Sequence, residues 1–161
     1  TQKKLIQIGW AASLHDIGKI AIPDTIIRKP GKLTPDEFEY VKSHTTKGAE
    51  IIQETVHLSD MAVYEYAYDI ARHHHEKYDG NGYPDGLKGD EISIAAQIVS
   101  LVDVYDALTS KRVYKVAYGP DKAYQMLVNG HGGAFSPKLL KAFAEVREEF
   151  EGLLEKYHDE D

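Results

Sequence analysis

The chain has 161 residues, 42% of them apolar and 28% charged, a length that suggests one domain with its own core. No apolar run approaches the ~18 residues of a membrane span, and the absence of cysteine rules out disulfides and thiolate metal sites and fits a reducing cytoplasm. The net charge of -7 argues against broad DNA or RNA binding, but leaves room for a small anionic substrate held by metals or local cations. The chain opens on Thr1 without an initiator methionine or a signal peptide, so a fragment of a longer protein is expected. Leu5, Ile6, Ile8, Gly9, Ala12 and Leu14 follow helical spacing and run into His15 and Asp16. Gly18 and Pro23 break that helix, and a loop from Ala21 to Lys32 carries the turn signal Pro30–Gly31. Thr34, Pro35 and Glu37 spell a capping box with proline at the first helical position. Phe38, Val41, Ile51 and Ile52 continue the apolar faces, with Gly48 as a break or a close helix contact. Ser59–Asp60 can cap the next helix, which runs through Ala62, Val63, Tyr66, Ala67 and Ile70 to a run of histidines. Residues 79–93 read as loop, and Ile94 to Leu108 as an apolar helix. Pro120 opens another helix that Gly130 can end, Ser136–Pro137 opens the last, and the acidic tail beyond it reads as solvated. Nothing alternates as a strand. The expectation is all-α, six to eight helices, one domain over residues 1–161.

The densest chemistry lies between His74 and Gly86, in HHEKYDGNGYPDG: adjacent histidines, the acids Glu76 and Asp79, and a glycine-punctuated turn closed by proline. Imidazole and carboxylate are the usual ligands of borderline and hard metal ions. The natural partners of this stretch are LHDIGK (Leu14–Lys19), the isolated His44, and the pair Asp103 and Asp106. On a helix His15 and Asp16 point about 100° apart, yet both reach an ion placed over that face. Asp16 has two oxygens and is the natural bridge between two ions; His15 is then a terminal ligand. Asp103 sits in SLVDVYDAL, where an unpaired carboxylate is costly and needs a metal, a cation or hydrogen bonds. Each of these also has a plainer reading: a capped or surface pair at 15 and 16, a structural histidine at 44, acids that cap or pair on the helix of Asp103. Of His73, His74 and His75, geometry can aim only some inward.

Together, LHDIGKIAIPD, RKPGKLTPDEF, KSHTTKGAEII, HHEKYDGNGYPDGLKG and LVDVYDALTSKRVYK occur in the order found in the HD-GYP family of metal phosphohydrolases. The chain resembles that family over about residues 10–145. The resemblance implies an HD-superfamily helical core with a C-terminal GYP-type helical extension, two or three divalent metal ions, commonly iron or manganese, and hydrolysis of cyclic di-GMP to pGpG and often onward to GMP. It implies His15, Asp16, His44, His74, His75 and Asp103 as metal ligands, with His73 the odd one out. It also implies Asp16 and Lys19 as catalytic residues, Lys19 meeting a phosphate oxygen, and Tyr83, Arg112 and Lys115 as contacts to the dinucleotide. Asp106 is expected to orient a ligand or Lys19, or to make a structural salt bridge; Arg112 and Lys115 otherwise form a solvated basic turn.

Some departures from the family carry expectations of their own. The family's helix upstream of the HD helix, with its further histidine, is expected to be lacking. One metal position then keeps Asp16, His44, His74 and His75; the other keeps His15, Asp16 and Asp103 and is expected to be under-occupied. The uncovered groove is expected to favour a homodimer. Ser93 stands for the usual proline, Gln97 for an arginine, and Ser136 where FDP is usual. An upstream receiver or sensory domain and protein partners at the GYP loop are expected company. The competing expectation is a catalytically weak or inactive module that binds a cyclic dinucleotide for signalling.

Overall fold

The structure is a computed structural model that describes residues 1–55, 61–110 and 117–158. These form eight α-helices and no strand: α1 (Gln2–Ala12), α2 (Asp24–Ile27), α3 (Pro35–Lys42), α4 (His44–Thr55), α5 (Met61–His73), α6 (Ile94–Thr109), α7 (Pro120–Val128) and α8 (Pro137–His158). Two short 3₁₀ segments, Ile17–Ala21 and Gly89–Glu91, punctuate the loops. The all-α expectation is what the chain adopts. The expected cap at Ser59–Asp60 lies outside the described residues.

Where local chemistry is strong, the elements begin as the sequence predicts. At the start of α3, Thr34 Oγ1 accepts from the Glu37 amide at 3.2 Å, and Glu37 Oε2 accepts from the Thr34 amide at 2.7 Å, the reciprocal capping box. The α6 helix begins at Ile94 as expected, and Ser93, read from the sequence only as the end of a loop, turns out to cap it, its Oγ accepting from the Ala96 amide at 3.1 Å.

The expected loop from Ala21 to Lys32 holds the short helix α2, and two boundaries also differ from the sequence expectation, both in ways that matter to function. The first helix does not carry His15 and Asp16; α1 stops at Ala12, and the next amides bond three residues back, Leu14 to Ala11 and His15 to Ala12. The cause is tertiary. Gly18 lies against the backbone of α4, where a Cβ would overlap the carbonyl oxygen of His44 and the amide of Gly48. The chain must leave the helix axis to make that approach. Gly48, in turn, is no break; it sits inside α4 as the other half of the contact. The break falls at Ser43, whose hydroxyl donates to the Tyr40 carbonyl at 2.6 Å and so competes with continued helix. His44 therefore opens a helix.

The core has two parts joined by α6. Ala11, Ile52, Ala67, Ile70, Ala71, Ala95 and Val99 pack α1, α4, α5 and the first turns of α6. Leu101, Tyr105, Leu108, Ala123, Leu127, Phe135 and Phe143 pack the rest of α6 against α7 and α8.

Candidate metal centre

Three separate segments bring imidazoles to one point: the turn after α1 (His15), the start of α4 (His44) and the turn after α5 (His74 and His75). The ligating atoms of His44, His74 and His75 all lie within 4.8 Å of one another. The backbone decides which ring nitrogen is free. His44 Nδ1 donates to the Val41 carbonyl at 2.7 Å, His74 Nδ1 to the Ile70 carbonyl at 2.9 Å, and His15 Nδ1 to the Ala12 carbonyl at 2.8 Å. A carbonyl can only accept, so each Nδ1 must carry a proton; Nε2 of His44 and His74 is left bare to face the centre, while His15 Nε2 is turned to Asp16.

The consequence is an electrostatic conflict. His44 Nε2 and His74 Nε2 stand 3.4 Å apart, two lone pairs facing each other unless something positive lies between them. A proton is a poor solution. Burial lowers the pKa of His44; burial and then the charge of His15 push His74 down to about 3; burial and then His74 and His44 push His75 down to about 2. Asp16 adds the anionic ligand. Its Oδ1 is buried, without a hydrogen-bond donor among the described residues, 3.4 Å from His44 Nε2 and 3.9 Å from His74 Nε2. Its Oδ2 meets Lys19 Nζ and lies 3.3 Å from His15 Nε2. Burial works to raise the Asp16 pKa, but the hydrogen bonds from His15 and Lys19 outweigh it and hold the carboxyl well below its usual range. His15 moves up, chiefly through its bond to Asp16. Deprotonated imidazoles around a bare carboxylate oxygen, with no sulfur, make a donor set that fits a borderline divalent cation.

The remaining residues singled out from the sequence are placed as follows. Asp103 projects from α6 into the wall of a groove of about 580 Å³ that it shares with His15, and its charge is felt at His15, Lys77 and Tyr83. Asp106 lines the same groove, is exposed, and accepts from the Ser110 hydroxyl at 3.2 Å. The Tyr83 ring stacks on His75 with centroids 4.9 Å apart, while the Lys42 ammonium stands 5.4 Å from its centre. Burial raises the Tyr83 phenol pKa and keeps it neutral. Arg112 and Lys115 lie outside the described residues.

Two supports of the site escaped the sequence reading. Glu76, counted there among metal-capable acids, is buried and turned to its own loop: Oε1 accepts from the amides of Asp85 and Gly86 at 2.7 and 3.0 Å. His73 points away from the centre into a polar clasp, 2.8 Å from Asp69 and 3.0 Å from Asp85, with Arg72 bidentate on Asp85 at 2.7 and 2.8 Å. The aspartate after Tyr83–Pro84 was the available signal for the clasp; nothing in residue spacing announced the role of Glu76.

Comparison with known proteins agrees with this geometry. Residues 1–139 match a family model described as an HD domain. The chain is 44% identical over 153 residues to a probable cyclic di-GMP phosphodiesterase of Vibrio cholerae, covering 94% of this chain and 35% of that protein. It is 42% identical over 155 residues to a cyclic di-GMP phosphodiesterase of Thermotoga maritima, covering 96% and 41%. It is also 41% identical over 140 residues to 3'3'-cGAMP-specific phosphodiesterase 2 of Vibrio cholerae, covering 87% and 26%. The chain thus spans about a third of the length of the curated relatives it matches.

Proposed function

The chain belongs to the HD domain family, in its HD-GYP branch, and on that premise we propose that it is a metal-dependent phosphodiesterase that hydrolyses cyclic di-GMP to pGpG, with GMP the further product that the assay of pGpG decides. The observation that carries this reading is the buried, unpartnered Oδ1 of Asp16 beside imidazoles whose protons are committed to the backbone. The activities for which the relatives are named support the substrate class, and the 3'3'-cGAMP-specific relatives make that dinucleotide the necessary comparison. No helix among the described residues is long and apolar enough to cross a membrane. The lack of cysteine supports a cytoplasmic setting.

In this reading Asp16, His44, His74 and His75 would hold one divalent ion and His15, Asp16 and Asp103 would hold a second, iron or manganese. Such ions supply Lewis acidity toward phosphate and water. Three protein ligands bind more weakly than four, so the second position fills less fully. Lys19, exposed beside Asp16, offsets charge on a nonbridging phosphate oxygen. Tyr83, Arg112 and Lys115 hold the dinucleotide; the arginine fork suits a phosphate or a guanine edge. Asp106 supports the site from the groove wall. Exposed Leu5 and Trp10 on α1 support self-association into a homodimer.

The second reading, a binding module with little turnover, is favoured by one observation: the tight ligand group is His44, His74 and His75, with Asp103 outside it. Turnover separates the two. Protein loaded anaerobically with Fe²⁺ or Mn²⁺ is expected to consume cyclic di-GMP, with 3'3'-cGAMP and pGpG assayed in parallel. Saturable binding without consumption would establish the module instead. Arg112→Ala is expected to raise KM several-fold while leaving metal content unchanged; an unchanged KM would return Arg112 to a solvated turn.

A further inference from the structure

Beneath the loop that carries Tyr83, two buried acceptors share one cavity. Glu76 is 3% exposed and Gln97 is 9% exposed. Each has one well-used side-chain atom: Glu76 Oε1 takes the Asp85 and Gly86 amides, and Gln97 Nε2 donates to the Ile92 carbonyl at 2.8 Å. The other two oxygens, Glu76 Oε2 and Gln97 Oε1, are buried without a donor among the described residues. Both residues line a cavity of about 10 Å³, together with Tyr78, Ser100, Phe135 and Ser136. Buried acceptors without donors are costly and rare. Turning the Gln97 amide over does not help, because it would set Oε1 against the Ile92 carbonyl and lose the existing bond.

We propose that this cavity binds one water molecule, which donates one hydrogen to Glu76 Oε2 and the other to Gln97 Oε1, and so ties the Tyr83 loop to α6. The volume is that of a single water, for which ~10–15 Å³ suffices. The chemistry matches as well: two oxygens need hydrogens, and the Ser100 and Ser136 hydroxyls can donate to the water in return. A metal cation is the poorer occupant, because the Lys77 ammonium already lies 3.5 Å from Ser100 Oγ. The link acts on the centre through short connections. Gly82 rests on the backbone of Glu76 and Lys77, where a Cβ would overlap, and the Tyr83 amide donates to the His75 carbonyl at 3.3 Å. At the other end, Gln97 stands on the helix that carries Asp103. Glu76 and Gln97 are therefore positioning residues for the loop; only their effect on substrate rests on the function proposed above.

Water-to-amide cross-relaxation in the NMR spectrum of the full chain tests the site directly. A long-lived water is expected, with a cross-peak to the Gln97 side-chain amide. Gln97→Leu removes one acceptor and strands Glu76 Oε2, so the amides of Asp85 and Gly86 are expected to exchange with solvent on the order of tenfold faster. Gln97→Arg brings its own donors to Glu76 and is expected to expel the water while restoring amide protection. With cyclic di-GMP, Gln97→Leu should raise KM several-fold at nearly constant kcat, and Gln97→Arg should reverse the change. Faster exchange at Asp85 and Gly86 with no change in KM would count against Tyr83 as a substrate contact and leave the water link standing. No water cross-peak in the unmodified chain, together with a carboxylic-acid infrared band that vanishes in Glu76→Gln, would overturn the proposal, since a protonated Glu76 would then donate to Gln97 directly. Unchanged protection in Gln97→Leu would overturn it equally, and the cross-peak of the unmodified chain gives its answer whether or not that variant folds.

Discussion

Alanines at 11, 67, 71 and 95 make up most of the core on the side of α1, α4 and α5, whereas Leu101, Tyr105, Leu127, Phe135 and Phe143 fill the side of α7 and α8. Small side chains let backbones approach, and Gly18 against Gly48 carries that to its limit. The approach sets where the turn after α1 and the start of α4 can present His15, Asp16 and His44. The second region has no such task. Its Tyr105, Phe143 and Phe150 rings meet edge to face at 5.2–5.6 Å and bury area without converging on a point. One helix serves both, since α6 turns Ala95 and Val99 to the first core and Leu101, Tyr105 and Leu108 to the second. The first core trades bulk for precision, and the second supplies bulk.

The comparison is broken most sharply at Asp16. Asp16→Ala is expected to abolish turnover, by at least about 100-fold, and to remove most of the bound metal, because on the reading proposed above Asp16 is the one carboxylate assigned to both metal positions and its loss would leave their charge uncompensated. Metal analysis beside a cyclic di-GMP assay reads both, and near-normal metal content would defeat the assignment. Phe143→Ala tests the other core. It should cost ~3–5 kcal/mol in denaturant unfolding, yet leave metal stoichiometry unchanged in the folded fraction. Metal loss in parallel would show that the two regions are not separable.

Gly18→Ala should do the reverse of Phe143→Ala. The added methyl meets backbone, which cannot rotate away, so ~1–3 kcal/mol of overpacking is expected together with weakened metal binding. Full metal affinity at reduced stability would mean that close approach and ligand placement are uncoupled. The smallest effect concerns the clasp on the Tyr83 loop. The Arg72 guanidinium holds the Asp85 carboxyl below the usual carboxylate range, with His73 adding to it. A carboxyl depressed in the folded state stabilises it above its unfolded pKa of about 3.9, and that contribution is lost as pH falls through the lower folded value. The stability difference between the unmodified chain and Asp85→Asn should therefore be full at pH 6 and shrink in strong acid. A difference independent of pH would remove the charge from the account.

Residue chemistry with a local readout was legible in the chain alone. The Thr34–Glu37 capping box and the apolar period of α6 involve neighbours a few residues apart, and both are present in the fold. The gathering of His44, His74 and His75, with Asp16 beside the first two, was legible because those residue types recur in a family order that no local pattern alone would make specific. Less legible was the direction each side chain takes. Three adjacent histidines read alike in sequence, but His73 closes the last turn of α5 and reaches Asp69 and Asp85, while His74 follows it and turns inward.

From the chain alone, then, came the helical class, the punctuation at Thr34 and Pro120, and the residue types that could ligate a metal, because these follow from propensity, capping and ligand chemistry. Only the tertiary structure decided that α1 ends at Ala12, that Gly48 is a contact and not a break, and that Glu76 faces its own loop. Each of these is settled by what lies across the chain: the backbone of α4 beneath Gly18, and the amides of Asp85 and Gly86 beside Glu76. A partner remote in sequence leaves no periodicity or spacing from which it can be read.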